Sequence, residues 1–156
     1  MPHLWAQVLT EAEIARILKE ANVVEADAAH LASRKAQNPQ IKAFAQKLRQ
    51  DHQRSEKEIK HLAKQLHLKM KKSPELQQLQ SESEKSLSEL KTVETPQFVK
   101  TYILSQLQMH QQILDNIDNK FLPAVTTPEL KNYLEKIKTH VQNHLNDARS
   151  LQSILE

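Results

Sequence analysis

Five side chains in this sequence have the types and spacing to hold a transition metal: Glu25, His52, His110, His144 and His140. Each lies in or beside a stripe of apolar residues at helical spacing. The first stripe is Ile14, Leu18, Ala21, Glu25, Ala28, Ala32. The second is Ile41, Ala45, Leu48, His52, Ser55, Ile59, Leu62, Leu66. Glu25 is 13 positions before Asn38 and His52 is 14 after it, so a reversal at Asn38-Pro39 brings them to one height. His110 sits in a third stripe, Val99, Ile103, Leu107, His110, Leu114, Ile117, Phe121. His140 and His144 are i,i+4 neighbours beside a fourth, which runs from Leu130 to Leu155. His110 is 11 positions before Phe121, while His140 is 12 and His144 16 after Pro128. At about 1.5 Å per residue, His140 best matches the height of His110 and His144 lies about one turn beyond. Both stay open as the fourth ligand, and both together would make five.

Neutral imidazoles and a carboxylate suit zinc, iron, copper or manganese ions, and a helical core fixes their geometry. Buried without a metal or a partner, such groups cost several kcal/mol. The expected function is therefore metal binding at one core Glu/His site, for storage, buffering or sensing. Four ligands nearly close the coordination shell, which suits holding an ion rather than turnover. The rival reading is a buried polar layer that only fixes register, in a helical module that binds a partner. That partner would meet the Lys-rich stretch Lys64, Lys69, Lys71, Lys72 and the third helix, although those lysines also complement a helix C-terminus. Asp51, adjacent to His52 but about 100° around the helix, would stand behind a ligand or face solvent. A di-iron centre needs two Glu-x-x-His motifs plus two more Glu residues. Only Glu58-Ile59-Lys60-His61 matches, and both its ends flank the stripe. No Ser/His/Asp arrangement or glycosidase-like carboxylate pair is readable, so any enzyme here would be a metal-dependent oxidoreductase. His3, His30, His61 and His67 read as surface or end residues.

The elements that must position these groups are all helices. The 156 residues contain no Gly and no Cys, and aromatics are 4%. That excludes a glycine-rich phosphate loop, thiolate metal sites, disulfides and a base-stacking platform. The net charge of +3 is interleaved and is no nucleic-acid footprint. No apolar run reaches the roughly 18–20 residues of a membrane span, and no signal peptide is visible. The short start, Met1 to Gln7, has the look of a chain from which one was removed.

Residues 1–9 read as an arm whose Trp5, Val8 and Leu9 dock on the domain formed by 10–156. Thr10 with Glu13 is a capping box for a first helix running to about Gln37. Four further starts share a small polar cap followed by Pro: Asn38-Pro39, Ser73-Pro74, Thr95-Pro96 and Thr127-Pro128. The second helix should end near His67, and Leu122-Pro123 should stop the fourth. The third has a thin stripe, Leu76, Leu79, Leu87, Leu90, and reads as a shorter surface crossover. The order long, long, crossover, long, long predicts an all-α, ferritin-like four-helix bundle with the crossover between the second and third long helices.

Several segments then resemble the bacterial ferritin-like family called domain of unknown function 4142. They are Glu25-Ala26-Asp27-Ala28-Ala29-His30-Leu31-Ala32, Ile41-Lys42-Ala43-Phe44-Ala45-Gln46-Lys47-Leu48 with Asp51-His52, Tyr102 with His110, and Val141-Gln142-Asn143-His144-Leu145. The resemblance covers about residues 12 to 152. It implies a ferritin-like bundle, commonly exported to the periplasm or envelope, with no firmly assigned reaction. A homo-oligomer or an envelope protein would be its partner, and a cytoplasmic location is the alternative. It also implies that Glu25, His52, His110 and His144 form the inner polar set, whereas His140 departs from the family pattern.

Overall fold

A computed structural model describes residues 8–155. The chain is all-α, with five α-helices and no strand among the described residues: α1 Glu11–Lys35, α2 Pro39–Gln65, α3 Pro74–Thr92, α4 Thr95–Asn116 and α5 Pro128–Leu155. Helix α1 packs on α2 and α4 on α5. The two pairs meet through α2 with α5 and α1 with α4, and α3 lies against α1 and α4.

The starts follow the local chemistry. The Thr10 hydroxyl accepts from the Glu13 N–H while Glu13 Oε1 accepts from the Thr10 N–H. Asn38 Oδ1 accepts from Gln40 N at 2.8 Å and Ile41 N at 3.3 Å, and Ser73 Oγ from Leu76 N at 3.2 Å. These bonds satisfy donors that have no partner within the helix. The backbone and hydroxyl of Thr127 donate to the Glu11 carboxylate, tying the start of α5 to the first turn of α1.

Four boundaries differ from expectation. Thr95 lies inside α4, and the cap is Glu94, which makes no side-chain cap bond. The first-turn N–H groups have no helical partner, so Pro96 is tolerated one position further in. Helix α4 ends at Asn116 and continues as a π-helical turn, Ile117–Phe121, then a 3-10 turn, Leu122–Ala124. Pro123 has no N–H to extend the α ladder, and the rearranged turns still bury Ile117 and Phe121. Helix α1 stops at Lys35, where Ala36 turns extended, two residues ahead of the Asn38 that Pro39 holds extended. Helix α2 stops at Gln65, where Leu68 N bonds Ala63 O at 2.8 Å and His67 N bonds Lys64 O at 3.2 Å. That Schellman closure needs a left-handed residue after the cap, and in a chain without Gly it falls to His67, with φ 55°. His67→Gly is therefore expected to stabilise the protein by about 1 kcal/mol, read as a higher urea midpoint at unchanged slope. At the N-terminus Leu9 is buried and Val8 exposed, so Val8 does not dock; Trp5 lies outside the described residues.

The apolar core is divided. One cluster gathers Ile14, Leu18, Ile59, Ile117, Phe121, Leu130 and Leu134. The other gathers Ala29, Ala32, Ile41, Leu48, Phe98, Tyr102 and Ile103. Along α1, α2 and α4 the residues between the two are polar and buried: Asn22 and Glu25, His52 and Ser55, Gln106 and His110. Helix α5 adds buried His144.

Candidate metal centre

Three of these buried polar residues are histidines from three different helices. His52 follows Leu48 by one turn on the inner face of α2, His110 follows Gln106 on α4, and His144 stands between Val141 and Ala148 on α5. Their rings form a nearly equilateral triangle, with centroids 5.8 Å apart for His52–His110, 5.4 Å for His52–His144 and 5.5 Å for His110–His144. One nitrogen from each ring lies within 4.8 Å of the other two. Exposure is 9% for His52, 2% for His110 and 4% for His144.

Hydrogen bonds on the far side of each ring decide which nitrogen faces inward. His52 Nδ1 lies 2.9 Å from Asn22 Oδ1. The Asn22 amide nitrogen is committed to Leu18 O at 2.9 Å and Ser55 Oγ at 3.2 Å, so its oxygen faces the ring and Nδ1 is the donor. His110 Nδ1 donates to the carbonyl of Gln106 at 2.9 Å. His144 Nε2 lies 2.9 Å from Asp51 Oδ2, which only accepts when ionised. Each ring thus carries its proton on the outside. His52 Nε2, His110 Nε2 and His144 Nδ1 are left buried with no partner, and all three are lone-pair acceptors. Behind His52 the network continues, since Ser55 Oγ is 2.7 Å from Tyr133 Oη.

Electrostatics keep the triad neutral. Burial holds His52 well below the usual 6.5, reinforced by His110 and His144. Burial likewise lowers His110 to about 4, with His144 adding to the shift and the Gln106 carbonyl opposing it. His144 is lowered by burial, against the pull of Asp51. Neutral imidazole is the form that binds metal.

Glu25 faces the same cavity from α1. It is 6% exposed, and neither carboxylate oxygen has a hydrogen-bond partner of good geometry. Burial raises it to about 7, and the nearby Gln106 side chain offsets part of that shift. The Gln106 amide atoms and the Tyr102 hydroxyl are also buried without partners. Burial and the neighbouring Glu25 both raise the Tyr102 hydroxyl well above its usual range. The cavity is about 140 Å³.

Of the five residues singled out by sequence, His52, His110 and His144 come together. Glu25 and His140 line the cavity without joining the nitrogen cluster, and His140 is exposed. Counting positions favours His140 because it ignores side-chain direction. Helical side chains lean toward their own N-terminus. In the antiparallel pair α4 and α5 that moves the His110 ring away from the connecting turn and the His144 ring toward it. Asp51 stands behind His144, and Glu58 is paired with Lys136 at 3.0 Å, away from the triad. Asn22 and Gln106 escaped the sequence reading. Asn22 is four residues after Leu18 on the inner stripe, and Gln106 lies midway between Tyr102 and His110 at i,i+4 spacing, so helical phase alone could have found both.

The family described as a domain of unknown function, DUF4142, matches residues 5–151. No curated protein and no solved structure matches the chain.

Proposed function

Because the chain belongs to the DUF4142 family, whose description assigns no activity, we propose a function from the site itself: a ferritin-like four-helix bundle that binds one transition metal ion. The ligands are His52 Nε2, His110 Nε2 and His144 Nδ1. Glu25 supplies a compensating charge from the same cavity. Zinc, iron and copper all suit three imidazoles. The role is storage, buffering or sensing, in the periplasm or envelope as the family resemblance implies.

One observation carries this reading: three inward lone pairs with no proton among them, each oriented by an acceptor on the opposite nitrogen. A layer built only for packing would pair those nitrogens. Left unpaired, each buried acceptor costs roughly 1–3 kcal/mol, a large share of a total stability of roughly 5–15 kcal/mol. A cation turns all three from liabilities into bonds. Ligand distances of about 2.0–2.1 Å, with nitrogens closing to about 3.3 Å from one another, fit a tetrahedral centre. The ties to Asn22, the Gln106 carbonyl and Asp51 are the kind that orient metal-binding histidines.

Elemental analysis of protein purified without a metal-affinity step tests it. One equivalent of a transition metal, lost in His52→Ala, is expected. Metal-free protein whose melting ignores added zinc, copper and iron salts would sink the proposal. Asp51→Ala leaves the three ligands in place and removes the acceptor behind His144. Its metal affinity is expected to fall about 10–100-fold, measured by competition with a chelator.

A further inference from the structure

We propose that the metal centre reserves one coordination position for a small, uncharged molecule with a single donor atom on a compact apolar body. This rests on the metal-binding reading above. Three protein ligands leave a tetrahedral ion one position short, the arrangement of open rather than closed zinc sites. Glu25 is not among the clustered ligand atoms, so the chain does not itself close that position. What borders the triad is the cavity.

Its volume of about 140 Å³ is close to the roughly 150 Å³ of an apolar cavity that accepts benzene. Beyond the polar layer of the histidines, Asn22 and Ser55, much of the wall is apolar: Ile17, Leu18 and Ala21 from α1, Leu79 from α3, Met109 and Ile113 from α4, and Phe121 from the π-helical turn. The same cavity is lined by Glu75 and Glu82 of α3, half-buried and exposed respectively. Glu82 is held across to α4 by Gln112, at 3.4 Å. Four carboxylates line the cavity, Glu25, Asp51, Glu75 and Glu82, against one lysine, Lys120, and this balance disfavours an anionic ligand. The apolar walls favour a body that loses little hydration on entry. Donor at the ion and carbon skeleton against α1, α3 and α4 is the pose these surfaces select.

Pyridine and azide are suitable probes, one neutral with an apolar ring and one a compact anion. Protein loaded with one equivalent of cobalt(II) is titrated with each while its visible absorption is followed. A saturable spectral change with pyridine is expected, at least tenfold tighter than with azide. Ala21→Leu and Ile113→Phe, each adding bulk to a cavity wall, are expected to weaken pyridine at least tenfold while retaining cobalt. If one variant fails to fold, the other decides. Cobalt that binds stoichiometrically but ignores pyridine overturns the open position and leaves the metal site standing. Pyridine affinity unchanged in a folded variant, or azide binding more tightly than pyridine, overturns the cavity's selectivity. Failure to bind cobalt overturns both readings.

Discussion

Replacing His110 with alanine is expected to abolish the metal-induced rise in melting temperature while leaving a folded protein. Structural zinc sites bind with about 10–16 kcal/mol. Shared over three nitrogens, that is about 3–5 kcal/mol per ligand, roughly a hundred- to several-thousandfold in Kd. For the wild type, free zinc at about 100 times Kd adds about 2.7 kcal/mol. At this chain length, that is roughly 5–11 °C in Tm. At the same zinc concentration His110→Ala should show almost none of it. The metal-free variant loses the bond to the Gln106 carbonyl and gains a void, but it also sheds an unpartnered buried acceptor. Its metal-free melting should therefore change much less than its response to zinc. A polar layer serving only packing gives the opposite pattern: a large loss in the metal-free variant and no zinc response in the wild type. Differential scanning calorimetry of both proteins, with and without zinc, separates the two.

Acid should unfold the metal-free protein through the same residues. A histidine whose folded pKa is depressed contributes full stability above its unfolded value of 6.5, and that stability is lost as pH falls toward the folded value. For His110, lowered to about 4, the loss is roughly 3 kcal/mol over that window. Glu25 works in the opposite sense. Its folded pKa is raised from 4.5 to about 7, so its contribution is full below 4.5 and declines as pH rises through 7, by a similar amount. These two nearly cancel. His52 and His144, both lowered by burial, set the sign, and stability should fall as pH drops below 6.5. Glu25→Gln removes the opposing contribution and should steepen the fall by about 1.4 kcal/mol per pH unit. Urea titrations at intervals from pH 4 to 8 measure it. A metal-free wild type that grows steadily more stable from pH 7 to 4.5 would refute the neutral triad.

The helices were legible because their signals are local. Thr10 with Glu13, Asn38 with Pro39 and Ser73 with Pro74 each form the expected cap within three residues. His52 and His110 were legible for the same reason, since each interrupts an apolar stripe on its own helix. What helical spacing could not decide is what depends on two helices at once. Spacing left His140 and His144 open while the family resemblance implied His144, and it is the direction in which two antiparallel helices aim their side chains that brings His144 to His52 and His110. Asp51, legible only as standing behind a ligand or facing solvent, meets His144 because α5 passes beside α2. The left-handed His67 and the π-helical turn at Ile117–Phe121 are places where the chain departs from regular geometry. No residue type advertises them in a sequence without glycine. Asn22 and Gln106 are in helical phase with Leu18 and with Tyr102 and His110, so their burial was legible from one helix, whereas the Asn22 bonds to Ser55 and His52 on α2 were not.

The most direct measurement is anomalous scattering from crystals of the metal-loaded protein, collected on either side of the metal's absorption edge. One peak is expected inside the fold, about 2.0–2.1 Å from His52 Nε2, His110 Nε2 and His144 Nδ1. A peak only among surface carboxylates, or no peak between the three rings in fully loaded crystals, would contradict it.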